Sequence, residues 1–520
     1  MSKDKKSFIL SALKMALATF SSRVLGLVRE KALAHVFGAS GITDAYSIAY
    51  RLPNMLRDLF AEGAFSSAFV PVFTEIRTIS DEEARRLLWS MFLLLGTVTG
   101  FISLFIMGFA SEILHLMTDE KFTSDPQRVE VTVMLIRIMA PFLTFVSLAA
   151  LFMGALNTLK VFFIPAMAPA FFNVVMILAI LFGPSVMENF GMNGAYALGF
   201  GVLIGGAVQM LIQLPILFKK AYGPLGPVKL FSKATTKIMN RISIGTIGIA
   251  ATQINILITT MLATSTMVGA VTWLNYAFRL FQFPVGILSV SIANSNLVHF
   301  SETWKKGDRI GSIEHLKTGY FFSFLTVMPA FALLFALASE TVQLIFEGGR
   351  FGGQDTAMVT SALNYYLVGL PFYGLYKIFS PTFFTLDKPK VPVLISVLAI
   401  FCNIIFCVSL TPVYGFKILA LGTSLSMLVI TLLQSIFLNK YLDIGIRFFL
   451  YPRIFKIFIA AIGCYLAAEN VSQLFYDREA IYLERALYFC LSGISGVLAY
   501  ALILGVLGEF KSLLKLIKRK

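Results

Sequence analysis

Charge is what this sequence lacks most. Of its 520 residues only 14% are charged while 57% are hydrophobic. A soluble chain carries roughly a quarter charged residues to cover its surface, so a water-exposed globular protein is excluded. No polar stretch is long enough for a separate soluble domain. Cysteine is also scarce. Cys402, Cys407, Cys464 and Cys490 all lie in apolar runs without CxxC spacing, which excludes a disulfide scaffold and a thiolate metal centre. The histidines (His35, His115, His299 and His315) are scattered and form no HExxH. GxxxxGK[ST] is absent; the glycine-rich Gly348–Gly353 lacks the Lys-Ser/Thr of a phosphate loop and reads as a hairpin turn. No Ser/His/Asp constellation can be assembled. The expectation is a protein that is not an enzyme and uses no cofactor.

What is present is a succession of apolar runs of about 20 residues, the length that crosses ~30 Å of hydrocarbon. They predict an all-α integral membrane protein of about fourteen spans. The basic start and apolar Ser7–Phe20 resemble a signal peptide, but Lys14 interrupts the run and the helical pattern continues, which predicts a retained first span. The net charge is +15, and its distribution orients the chain. One set of alternate loops holds 28 Lys and Arg, the other five. By the positive-inside bias both termini are expected in the cytoplasm. No basic patch sits on an independent domain, so nucleic acid is not an expected partner; the bilayer is.

Two longer basic connections, 219–236 and 440–452, suggest boundaries. They divide the chain into an N-terminal lobe (1–220, six spans), a C-terminal lobe (221–440, six spans) and a closing helix pair (441–520). Ala49-Tyr50-Arg51-Leu52 in the second span returns as Ala277-Phe278-Arg279-Leu280 in the eighth, 228 residues later. Repeats of even span number run parallel, and transporters of that architecture bind substrate at the repeat interface.

Ten basic residues fall outside the loops: Lys14, Arg23, Arg29, Lys31, Arg51, Arg57, Arg137, Arg279, Lys377 and Lys417. Lys14, Lys31 and Lys417 can snorkel to the interface. Five arginines at mid-membrane facing lipid would cost on the order of 12–18 kcal/mol, beyond the stability margin of most proteins. Arg23, Arg29, Arg51, Arg57 and Arg279 are therefore expected to line water or meet counter-charges, of which Glu30, Asp44, Asp58 and Glu62 are nearby. A hydrated cavity with surplus positive charge suits phosphate, since the guanidinium fork pairs with its oxygens bidentately.

The N-terminal residues carry a specific pattern: Ser21-Ser22-Arg23-Val24-Leu25-Gly26-Leu27-Val28-Arg29-Glu30, then Thr43-Asp44-Ala45, Leu52-Pro53-Asn54-Met55-Leu56-Arg57 and Phe60-Ala61-Glu62-Gly63-Ala64. This block closely resembles the MurJ (MviN) family, bacterial lipid II flippases of the multidrug/oligosaccharidyl-lipid/polysaccharide exporter superfamily. The resemblance extends through Thr272–Leu280 and the Gly349-Arg350-Phe351 turn.

The resemblance implies two six-helix lobes in a V around a cationic cavity, with two further helices bordering a lipid-tail groove. It implies substrate contacts from Arg23, Arg29, Arg57, Arg279, Asp44, Asn54 and Glu62, and more loosely from Glu30 and Thr272; Arg51 is added by the internal repeat. The implied substrate is lipid II, carried by alternating access across the bacterial inner membrane by a functional monomer, with cell-wall synthases as further partners. The alternative is another exporter of the superfamily, an O-antigen-type flippase or a drug/cation antiporter. Phe278 and Gln282 stand where some relatives have carboxylates. A sodium site of some relatives would have only Asn403 and Thr423 here, so no metal is expected. Membrane potential or an ion gradient is the expected energy source.

Overall fold

The structure is a computed structural model describing residues 3–60, 64–226, 228, 230–449 and 451–509. It is helical throughout; among the described residues the one β-bridge joins Gly348 to Phe351. Among the described residues ten helical segments are long and apolar enough to cross a membrane. The other expected spans are the ones that carry charge, proline or hydroxyl-rich stretches, and their described residues are helical too.

The chain packs as two units. The first comprises residues up to Thr272 together with Gly348–Phe351. Its helices are α1 (Lys3–Phe37), α2 (Gly41–Phe60), α3 (Ala64–Ile79), α4 (Asp81–Gly108), α5 (Ala110–Met117), α6 (Glu120–Thr123), α7 (Pro126–Met139), α8 (Phe142–Thr158), α9 (Phe163–Asn189), α10 (Tyr196–Leu211), α11 (Leu214–Lys219) and α12 (Lys233–Thr264). α1 lies along α9, α2 along α7, and α10 fits among α7, α8 and α9. Close approach at that junction needs Gly206, because a Cβ there would overlap the Phe142 ring. One core gathers Tyr46, Ala49, Leu135, Phe142 and Phe172. A second gathers a ladder of Phe65, Phe69 and Phe73, with centroids 5.4 and 5.0 Å apart, against Leu88 and Phe152.

The second unit runs from Trp273 to Glu347 and from Gly352 onward. Its helices are α13 (Ala270–Pro284, whose first turn belongs to the first unit), α14 (Val290–Lys305), α15 (Arg309–Ala336), α16 (Ala338–Phe346), α17 (Gly353–Leu367), α18 (Leu370–Thr385), α19 (Lys390–Tyr414), α20 (Lys417–Leu442), α21 (Ile446–Phe449), α22 (Pro452–Phe475) and α23 (Tyr482–Val506). A π-turn over Val285–Ser289 follows Pro284, whose missing N–H interrupts the helical ladder. α22 and α23 pair with each other and rest on α15. Buried Glu509 ties their ends through Arg453 (3.4 Å) and Lys456 (3.0 Å).

The sequence-based boundaries at 220 and 440 do not coincide with this packing, in which residues 221–272 join the first unit and the helix pair joins the second. The reason is local. The basic connection after α11 is fastened to α4: Trp89 Nε1 donates to the Tyr222 carbonyl (3.1 Å) and Arg85 to that of Gly223 (3.2 Å). The Tyr222 hydroxyl donates to Asp81; burial first, and then that carboxylate, push the phenol up to about 12. α12 then packs on α3 and α2.

Candidate substrate-binding site

The span arginines divide into different environments. Arg29 on α1 is 7% exposed. Its Nη2 lies 2.5 Å from Glu30 Oε1, its Nη1 donates to Asn173 Oδ1 (3.1 Å), and its guanidinium lies 5.8 Å from the Phe172 ring centroid. Asn173 Nδ2 in turn donates to the Ser22 carbonyl (3.1 Å). One amide on α9 thus holds α1 at two levels, and the Arg29 charge is neutralised within the unit. Arg23 lies six residues earlier, about 120° around the helix. It is exposed and forms no ion pair among the described residues.

On α2, Arg51, Asn54 and Arg57 are half-buried. Glu62 lies outside the described residues. In the second unit Arg279 is exposed on α13. The flanking Phe278 and Phe281 pack on Tyr366, with centroids 5.3 and 5.8 Å away, so the aromatic contacts turn one face of the helix inward.

Asp44 is 3% exposed, and its carboxylate serves a helix end. Oδ2 accepts from the Gly269 amide (2.6 Å); Oδ1 accepts from the Thr272 amide (2.9 Å) and hydroxyl (2.7 Å). A carboxylate at the first turn of α13 satisfies N–H groups that have no partner inside the helix and complements its dipole. The two residues are 228 apart, the same offset as that between 49–52 and 277–280.

Other contacts cluster at this end of the first unit. The Asp119 amide donates to Thr264 Oγ1 (3.0 Å) and Lys121 Nζ to the Thr266 carbonyl (3.1 Å). The Gly348–Phe351 hairpin lies on the end of α1, with the Arg350 amide donating to the His35 carbonyl (2.9 Å). Gly349, at φ +59°, is required there: a Cβ would overlap the His35 carbonyl oxygen.

Each sodium candidate has a local hydrogen bond. Thr423 Oγ1 donates to the Leu419 carbonyl in its own helix (3.0 Å), and buried Asn403 accepts from Cys407 Sγ (3.4 Å). Among the described residues no group of three or more His, Cys, Asp or Glu is placed to hold a metal. Sequence reasoning missed Asn173; a lone asparagine inside an otherwise apolar span was its one signal. It also missed the docking of the hairpin, signalled by Gly38 and the paired Gly348-Gly349.

Spanning helices and arginines within the spans define a polytopic membrane transporter. The comparisons narrow the class. Residues 33–482 match the family model described as lipid II flippase MurJ, and the chain belongs to that family. The lipid II flippase MurJ of Burkholderia cenocepacia is 35% identical over 384 residues, 73% of each chain. A probable lipid II flippase MurJ of Buchnera aphidicola is 28% identical over 511 residues, 95% of this chain and 97% of the relative. A solved lipid II flippase MurJ in an inward closed conformation superposes with a TM-score of 0.77 at 25% identity, over 96% of this chain and 99% of that one. An inward-facing MATE multidrug transporter of the MOP superfamily shares the fold alone, at 12% identity and TM-score 0.66, over 83% and 98% of the two chains.

Proposed function

We propose that this protein is a lipid II flippase, moving the undecaprenyl-pyrophosphate-linked peptidoglycan precursor from the cytoplasmic to the periplasmic leaflet of a bacterial inner membrane. The carrying observation is family membership across residues 33–482. It is a transporter and not a catalyst. Arg23 and Arg279 remain exposed on their helices and Arg57 half-buried, so they present cationic forks to the pyrophosphate while the prenyl tail stays in lipid. Arg29, held by Glu30 and Asn173, positions α1 for that capture.

The chain works by alternating access, with both termini cytoplasmic. In that topology the end bearing His35, Asp44 and Gly349 is periplasmic, and its fastenings let go when the head group is released outward. Any drive must favour one state over the other by differential interaction. Membrane potential acting on the mobile arginines supplies ~2.3 kcal/mol per charge per 100 mV. The chain acts as a monomer and hands its cargo to the cell-wall synthases.

The test is replacement of a resident flippase. Cells depleted of their own and expressing this chain are expected to keep lipid II accessible from outside, and to lose that accessibility with Arg23→Ala. Expression of the folded chain without any externally accessible lipid II would overturn the assignment.

A further inference from the structure

At the end of the second unit where α16 meets α17, a cavity of about 330 Å³ lies beneath the α22–α23 connection. Its wall includes Thr356, Thr360, Ser361 and Asn364 of α17, Ser339 of α16 and Arg478 of the connection. The α17 residues share one face at helical spacing, giving a polar stripe ~12 Å long at 1.5 Å per residue. Such a stripe is costly against lipid.

Most of the chain's other helical threonines show what a merely structural role looks like, although buried Thr411 Oγ1, outside this cavity, also has no partner among the described residues. Thr341, Thr382 and Thr423 return their hydroxyls to the carbonyl four residues back, at 2.6, 2.9 and 3.0 Å. Thr360 does not: its Oγ1 is buried and has no partner among the described residues, and the same holds for Asn364 Oδ1. Both residues line the cavity. At the mouth, Arg478 Nη2 donates to Ser339 Oγ (2.8 Å), which uses one of five guanidinium donors.

Charge selects the ligand class. Glu347 accepts from the wall residue Thr356 (2.6 Å) and from Gln343 (3.3 Å). Glu340 accepts from Ser472 (2.7 Å), Asp355 from Trp273 (2.9 Å), and Asp477 from the Glu479 amide (2.9 Å). Against these four carboxylates the two guanidiniums at this end, Arg478 and Arg485, do not favour a multiply charged anion. Hydroxyls of a neutral ligand both donate and accept, as Thr360, Ser361 and Asn364 do. At ~30 Å³ per water the cavity has room for about eleven, which is ample for a glycerol unit or one sugar ring.

We propose that this cavity binds a vicinal diol, with Asn364 and Thr360 pairing with its hydroxyls and Arg478 closing over them. The diol can belong to a lipid head group or to a free sugar. Native mass spectrometry of the full-length protein with monoglucosyl diacylglycerol, phosphatidylglycerol and phosphatidylethanolamine, alongside saturation-transfer NMR with free glucose, tests this.

The two diol-bearing lipids are expected to be retained over phosphatidylethanolamine. Near-isosteric Thr360→Val and Asn364→Leu should each weaken retention roughly fivefold, one neutral hydrogen bond. Exposed Arg478→Gln gives the same reading should the helix variants not fold. Saturation transfer to glucose that the variants abolish assigns a soluble sugar; retention of lipids alone assigns a head group. Equal retention of all three lipids, or variants without effect, overturns the proposal. So does retention of phosphatidylglycerol without the glucosyl lipid, which would mark a phosphate site. Lipid II transport by the same variants is read separately, because the cavity shares no residue with the transport arginines.

Discussion

Arg23 and Arg29 stand six residues apart in one helix, and composition alone treats them as the same charge. Arg29 is closed into a pair with Glu30 and a hydrogen bond to Asn173, 144 residues away; Arg23 is exposed. Removing one partner of a buried pair leaves the other charge uncompensated, at a cost of about 3–5 kcal/mol. Arg29→Ala is therefore expected to lower thermal stability in detergent strongly and to abolish transport with it. Arg23→Ala removes no folded-state partner and should stay within about 0.5 kcal/mol of the parent while transport falls. Melting curves beside a flipping assay separate the two; equal destabilisation would place Arg23 in the structure and not at the substrate. That the spans need their arginines was legible from the cost of charge in lipid. Which arginine is neutralised was not, because Asn173 comes from a distant helix and has no periodicity to announce it.

At the scale of elements, apolar runs and basic loops located the helices, since a membrane constrains length and charge more tightly than water does. Their fastenings were hidden, being single polar contacts between segments far apart in sequence. Asp44 shows this: the family resemblance implies a substrate contact there, while its oxygens accept three hydrogen bonds at the start of α13. Asp44→Asn keeps the shape but sets an amide NH₂ against backbone N–H donors. A lost cap costs about 1 kcal/mol, more when the acceptor is charged. In a cysteine-free background carrying Thr266→Cys, the Asp44→Asn substitution is expected to speed labelling by an impermeant maleimide several-fold; unchanged labelling would mean that the cap does not hold this end shut. Gly349→Ala acts on the neighbouring contact. It imposes a Cβ at φ +59° and against the His35 carbonyl, so the hairpin should leave α1 and a protease should cut within 348–351 faster than in the parent. Equal cleavage would show that the hairpin is held by other contacts.

For the whole molecule, the 228-residue offset between 49–52 and 277–280 is also the interval of the hydrogen bond between Asp44 and Thr272. The division into units was less legible. A basic, Gly-Pro-containing connection looks like a linker until Tyr222 is seen buried against α4, which carries α12 into the first unit. Energetics belong to this scale as well. Sodium binding needs several hard oxygen ligands converging on one point, and the seventh, eleventh and twelfth spans hold no Asp or Glu to supply them. The arginines, by contrast, are permanent charges on helices that must change exposure during transport, and each charge moved through the full field contributes ~2.3 kcal/mol per 100 mV. Flipping in proteoliposomes is therefore expected to persist when choline replaces sodium, and to slow at least tenfold when valinomycin and potassium collapse an imposed potential. Two charges crossing half the field account for a change of that order. Loss of flipping on sodium replacement at constant potential would instead require a cation site, and Asn403→Leu should then abolish the sodium dependence.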